Sequence, residues 1–137
     1  MQDKKYILMS IKPVYAEQIK SGQKTIELRR IAPKVKSGDV LIIYESSPVK
    51  QITAFCEIEA IVVAEPNKLW ETAKGVAGLS YDSFIKYFDG KSQAVGIKLG
   101  KVKEMSVPKG LSVISIDMQA PQSYRYLSRE QFQILTE

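Results

Sequence analysis

The stretch Ser21-Gly22-Gln23-Lys24-Thr25-Ile26-Glu27-Leu28-Arg29-Arg30 decides how the rest of the chain is read. Gly22 is a natural left-handed stop for a preceding helix, and Lys24 to Ile31 reads as a strand feeding out of it. Period-two geometry puts Thr25, Glu27 and Arg29 on one face and Ile26 and Leu28 on the other. Glu27 and Arg29 are then same-face neighbours, near enough to hold each other's geometry. Lys24 shares the parity of the apolar face, which places it at the very start of the strand, at a barrel rim. A lysine beside a helix terminus and a carboxylate suits a phosphate or base contact. The alternative, on these residues alone, is a surface salt-bridge ladder worth under about 1 kcal/mol per exposed pair.

Working outward, Tyr6 to Ile11 reads as a short buried strand, and Lys12-Pro13 opens the helix, with Pro13 at a first-turn position where its missing N–H costs little. A turn from Pro33 to Gly38-Asp39 leads into the strand Val40 to Tyr44, and Ser46-Ser47-Pro48 breaks it. Gln51 to Ala64 alternates, with Ile52, Ala54, Cys56, Ile58, Ala60 and Val62 expected on one face and Thr53, Glu57 and Glu59 on the other. Cys56 thereby falls on the buried side, as an inert small hydrophobe. Asn67 is expected to cap a helix through Lys74, and Ser80-Tyr81-Asp82 to start another that ends at Asp89-Gly90. Ala94 to Lys103 reads as a strand whose apolar parity shifts across Gly100, the mark of a bulge. Leu111 to Ile116 is a further strand candidate, and Ser128-Arg129-Glu130-Gln131 matches a capping box heading a C-terminal helix. Five or six strands with a few short helices predict an α+β, mostly β architecture: a small antiparallel β-barrel with the helices packed outside.

The chain has 137 residues, 45% of them apolar and 26% charged, which suits one domain over residues 1–137 with a core large enough to need no metal or disulfide staple. No apolar run exceeds the five residues Ala60 to Ala64, and the segment after Met1-Gln2-Asp3-Lys4-Lys5 is too short for a signal peptide, so a cytoplasmic location is expected, with no membrane partner. There is no histidine and one cysteine, which excludes a Ser-His-Asp triad, a Cys-His pair, an intrachain disulfide and His- or Cys-rich metal sites. No cofactor and no metal are expected. Residues 1–50 hold ten Lys/Arg against five Asp/Glu, so the net +5 lies in the first third, and six of those cations are Lys20, Lys24, Arg29, Arg30, Lys34 and Lys36. Such a surface suits a polyanion, because each phosphate neutralised releases a counterion; a solvated basic face is the plainer alternative.

The central stretch also resembles the signature of the ASCH domain family, a branch of the PUA-like β-barrels, whose motif runs Gly-x-Lys-x-x-Glu-x-Arg: Gly22, Lys24, Glu27 and Arg29 match every fixed position. The Ile11-Lys12-Pro13 helix start and the Ser37-Gly38-Asp39-Val40 turn fit as well. The resemblance spans residues 6–105 or so, and the remainder, about 106–137 with Ala120-Pro121-Gln122-Ser123-Tyr124-Arg125-Tyr126, looks like an addition found in some relatives. It implies a cleft between barrel and helices that receives RNA or a modified nucleoside. Lys24 would contact phosphate or substrate, Glu27 would orient Lys24 or accept a hydrogen bond from a base edge, and Arg29 would grip phosphate or stack on a base. Arg30, Lys34 and Lys36 extend the nucleic-acid surface. Trp70, Tyr81, Tyr87, Tyr124 and Tyr126 are either stacking platforms or core anchors, with Trp70, Phe84, Tyr124 and Tyr126 favoured as core and Arg125 between the last two leaving an RNA-facing strip as the alternative. Some relatives hydrolyse N4-acetylcytidine and at least one cuts RNA, so Lys24 and Glu27 are the catalytic candidates if this chain is an enzyme. The hydrolase group carries threonine where this chain has Glu27, and residues 74–82 lack that group's second glutamate. Three readings follow: an RNA- or modified-nucleoside-binding module, a small nucleic-acid enzyme, and a protein-interaction domain whose basic strip meets an acidic partner.

Overall fold

The computed structural model describes residues 3–137, so the first two residues of the expected domain lie outside the description. The elements in order are β1 (Tyr6–Ile11), α1 (Pro13–Ser21), β2 (Ile26–Arg29), β3 (Val40–Glu45), β4 (Gln51–Ala64), α2 (Pro66–Ala73), α3 (Tyr81–Tyr87), β5 (Ala94–Lys109), a 3-10 turn (Leu111–Val113), β6 (Tyr124–Leu127) and α4 (Arg129–Thr136). The six strands form one sheet in the order β2-β5-β4-β3-β1-β6, curled into a half-barrel. It is mixed: β1 runs parallel to β3, and the other neighbouring pairs are antiparallel.

The curl comes from β4 and β5. Cys56 pairs with Val102 and Ile58 with Leu99, so Gly100 and Lys101 together oppose Glu57. This is the bulge expected at Gly100, where a Cβ would stand 3.0 Å from the Glu57 carbonyl oxygen. Further register shifts fall between Ile52 and Ala54 and between Ile58 and Ala60. Each adds twist, and each also reverses side-chain parity. The expected single face from Ile52 to Val62 is therefore divided: Ala54, Cys56, Ile58 and Ile61 pack in one apolar cluster, Ile52 in a second and Val62 in a third.

One face of the sheet carries Ile7, Met9, Leu41, Ile43, Val95 and Ile97 and is covered by Ala16 and Ile19 of α1. On the other face, Leu8, Ile42 and Leu127 lie under Phe132 and Leu135 of α4, while Ile26, Leu28 and Ala94 lie under Leu69 and Ala73 of α2, Phe84 of α3 and Phe88 just after it. Phe84 is fully buried and Trp70 packs beside it at 5.0 Å between ring centroids, which makes both core side chains. Lys20 fastens α1 to the sheet through the buried Glu45, whose Oε2 also accepts from Thr53 Oγ1.

Four local expectations change. β2 is shorter than residues 24–31, because the Lys24 and Thr25 amides donate instead to the Gln18 and Val76 carbonyls. β5 continues to Lys109 rather than stopping at Lys103. Leu111 to Ile116 is no strand: Leu111 and Ile114 tuck against the α4 side while Ile116 is 86% exposed, a helical rather than an alternating division. Asn67 does not cap α2, which starts at Pro66; its Oδ1 accepts a 2.6 Å hydrogen bond from the Tyr81 hydroxyl. The capping box at Ser128 and Gln131 forms with both hydrogen bonds in place.

Candidate nucleotide cavity

The sheet has two free edges, β2 and β6, and the central stretch lies at one of them. α1 ends at Gly22, which takes φ 88°, and the chain doubles back so that the Lys24 amide bonds to Gln18 O. Ile26 and Leu28 point into the core beneath α2 and α3, so by strand parity Glu27 and Arg29 face the opposite way, toward α1 and β1. There they line a cavity of about 550 Å³ together with Ser10, Lys12, Tyr15, Arg30, Ser83, Lys86 and Tyr87. That volume is within the range of small-molecule sites, roughly 300–1,000 Å³.

The floor is an ion chain with few unused donors. Lys24 is 4% exposed. Its ammonium donates to Ile26 O at 2.8 Å and Ala77 O at 2.7 Å and lies 3.5 Å from Glu27 Oε1. Burial lowers the Lys24 pKa below its ordinary value; Glu27 opposes that shift and Arg29 adds to it. Glu27, also buried, receives a fork from Arg29 on Oε2, at 2.9 Å from Nη2 and 3.2 Å from Nε. Arg29 further donates to Ser10 O on β1 and to Ser123 Oγ just before β6. One guanidinium thereby spans the opening of the half-barrel from edge to edge. The Tyr15 ring lies 5.4 Å from the Lys24 ammonium, within cation–π reach.

The rim is different. Lys12, Arg30 and Lys86 are exposed and make no ion pair among the described residues. Arg30 is nevertheless held: its Nε donates to Tyr87 O at 2.7 Å and its guanidinium carbon stands 4.6 Å from the Tyr87 ring centroid. The Tyr87 hydroxyl, directed at Leu28 O, has its pKa raised by burial, against the opposing charges of Arg29 and Arg30. Among the lining residues five cations face one carboxylate, Glu27.

Of the six residues singled out in the sequence, Lys24, Glu27, Arg29 and Arg30 line this cavity, whereas Lys34 and Lys36 do not. Those two lie on the β2–β3 connection, where the Lys36 ammonium pairs with buried Asp39 at 3.0 Å. Burial alone would raise the Asp39 pKa, but hydrogen bonds from the Lys5 and Lys36 amides and the Lys36 ammonium bring it below the ordinary value. Sequence reading missed Lys12, Tyr15, Ser83 and Lys86 as lining residues. Lys12 and Tyr15 carried a usable signal, since Pro13 fixes the start of α1 and places Tyr15 in its first turn. Ser83 and Lys86 carried none, because only the packing of α3 against β2 brings them there. Burial pushes the Cys56 thiol up to about 12, in keeping with an inert core residue.

A mixed six-stranded half-barrel with helices on its faces and a basic cavity at its open edge defines the PUA-like class. Within that class the chain belongs to the ASCH domain family, whose model matches residues 9–109. The ASCH domain-containing ribonuclease of Zymomonas mobilis is 33% identical over 136 residues, covering 97% of this chain and 91% of that protein. The crystal structure of ASCH from Zymomonas mobilis superposes with a TM-score of 0.90 at 34% identity, over 98% of this chain and 95% of that one. The N-terminal domain of Staphylothermus marinus McrB is 11% identical with a TM-score of 0.62, over 98% and 94% of the two chains, and shares the fold. No helix among the described residues is long and apolar enough to cross a membrane.

Proposed function

We propose that residues 1–137 act as one cytoplasmic ASCH domain that binds RNA by seating a single nucleotide, plain or modified, in this cavity with its base inward. The observation that carries the reading is the division of charge: the deep cations Lys24 and Arg29 are committed to Glu27 and to backbone carbonyls, whereas Lys12, Arg30 and Lys86 at the rim are free of carboxylates among the described residues. The rim then takes the phosphates. Glu27 accepts a hydrogen bond from a base edge, and Lys24 and Arg29 hold it in place. The Tyr15 and Tyr87 rings supply apolar walls for the base. The test is salt-dependent binding of a labelled single-stranded RNA: Lys12→Ala/Lys86→Ala should shrink the log–log salt slope by about 0.7 for each lysine removed. An unchanged slope and affinity in that pair and in Arg30→Ala overturns the reading.

A second reading, RNA cleavage, is favoured by the Lys24–Glu27 pair and by the similarity to a protein named a ribonuclease. Burial that lowers the Lys24 pKa makes a neutral amine accessible nearer neutral pH, and a neutral amine can take the proton from a ribose 2′-hydroxyl. The 2′-oxygen then attacks the adjacent phosphorus and the 5′-oxygen of the following nucleotide departs, protonated by solvent. Cleavage that rises with pH through a value below the ordinary lysine range, and disappears in Lys24→Met, is the expected signature. Intact RNA and intact N4-acetylcytidine after prolonged incubation at high protein concentration leave the binding reading alone.

A further inference from the structure

We propose that single-stranded RNA held in the cavity continues across the Arg29–Ser123 contact onto a second surface made by Tyr126, Lys5 and Lys34. The proposal rests on the RNA-binding reading of the cavity. In the β1–β6 register Tyr126 stands opposite Ile7 and Tyr124 opposite Met9, so both tyrosines share the sheet face that carries the α1 cluster. Tyr126 is 42% exposed, yet its ring is fixed. Its hydroxyl accepts from the Lys34 amide at 2.9 Å, Tyr124 meets it edge-on at 5.8 Å, and the Lys5 ammonium stands 5.8 Å from its centroid. That ammonium is itself oriented by a 2.9 Å hydrogen bond to Lys34 O.

Neither Lys5 nor Lys34 has a carboxylate partner among the described residues, because the nearby Asp39 is occupied by Lys36 and by backbone amides. An anchored aromatic ring with two lysines beside it that lack carboxylate partners, Lys5 over the ring and Lys34 joined to it through its backbone amide, offers what a single-stranded nucleic acid needs outside a base pocket: a face to stack on and charges to follow the phosphates. The surface adjoins the cavity. Arg29 Nη1 bonds Ser123 Oγ, and Ser123 precedes Tyr126 by three residues, roughly 10 Å of extended chain.

The test compares a labelled single-stranded RNA hexamer, read by fluorescence anisotropy, with a mononucleotide, read by titration calorimetry. Tyr126→Ala should weaken the hexamer about tenfold while mononucleotide affinity, which reads the cavity, holds. Tyr126→Phe should retain hexamer affinity, because the ring remains. Lys34→Glu, which replaces a side chain that holds no part of the fold, should weaken the hexamer and flatten its salt dependence. Unchanged hexamer affinity in both Tyr126→Ala and Lys34→Glu, with Lys12→Ala/Lys86→Ala still weakening both ligands, overturns this surface and leaves the cavity reading intact. If the Lys12/Lys86 pair weakens neither ligand, the cavity reading falls and this one with it. Hexamer displacement from this surface by an acidic peptide of matched charge, with equal affinity, also overturns it in favour of a protein partner.

Discussion

The floor and the rim of the cavity use the same kinds of residue for opposite ends. At the floor, Lys24, Glu27 and Arg29 are nearly out of solvent and bonded to one another, to Ile26 O, Ala77 O and Ser10 O, and to Ser123. At the rim, Lys12, Arg30 and Lys86 stand in water without an acidic partner among the described residues. A buried cation whose donors are consumed has little left for a ligand, and its removal strands the groups it satisfied. An exposed cation contributes little to the fold and is free to meet a phosphate. Identity in a motif therefore does not say which cation is left without a partner; burial does.

The largest effect expected is at the floor. Lys24→Ala should cost about 3 kcal/mol of stability, since it leaves Glu27 with one cation and two carbonyls without their donor; a urea unfolding midpoint measures it, and a change below about 1 kcal/mol breaks the distinction drawn here. Arg29→Ala should follow at about 2 kcal/mol, because it removes charged hydrogen bonds that join both edges of the sheet. Arg29→Lys should recover little of that loss, as an ammonium cannot reproduce the fork.

Next comes a pH effect confined to the floor. The folded-state pKa of Lys24 is lowered, so between that value and the ordinary 10.5 the unfolded chain binds more protons than the folded one. Stability from this group is therefore least below the folded pKa and rises with pH through that window. The stability difference between wild type and Lys24→Met should drift in favour of wild type as pH increases toward 10.5, whereas Lys12→Ala/Lys86→Ala should track wild type in parallel. The smallest effect on stability is at the rim: that double variant should stay within about 0.5 kcal/mol of wild type while losing RNA affinity. If instead it unfolds the protein, the rim is structural and the comparison fails.

Much of the cavity was legible because it is built from one continuous stretch. A left-handed glycine at position 22 and period-two alternation from Thr25 to Arg29 suffice to point Glu27 and Arg29 together, away from Ile26 and Leu28. Lys34 and Lys36 share the charge of that stretch, and the turn after β2 carries them away from it. Lys86 was invisible for the converse reason, arriving from a helix far along the chain. The expected face along β4 failed because the register shifts between Ile52 and Ala54 and between Ile58 and Ala60 reverse its parity and leave no mark in composition, whereas the legible bulge at Gly100 has its extra residue in β5 and keeps Cys56 and Ile58 on one face.

The amino-acid order alone determined the strand and helix alternation as far as β5, the Gly22 stop, the capped α4 and the joint orientation of Glu27 and Arg29, all consequences of local geometry acting over a few residues, whereas the edge strand β6 was not read from it. Which lysine is consumed and which is free was decided only in three dimensions. The curl of the sheet sets how far Arg29 reaches across to Ser10 and Ser123, and the seating of α3 brings Lys86 and Tyr87 to the mouth. Solvent access depends on what packs above a side chain, and residues distant in sequence do that packing.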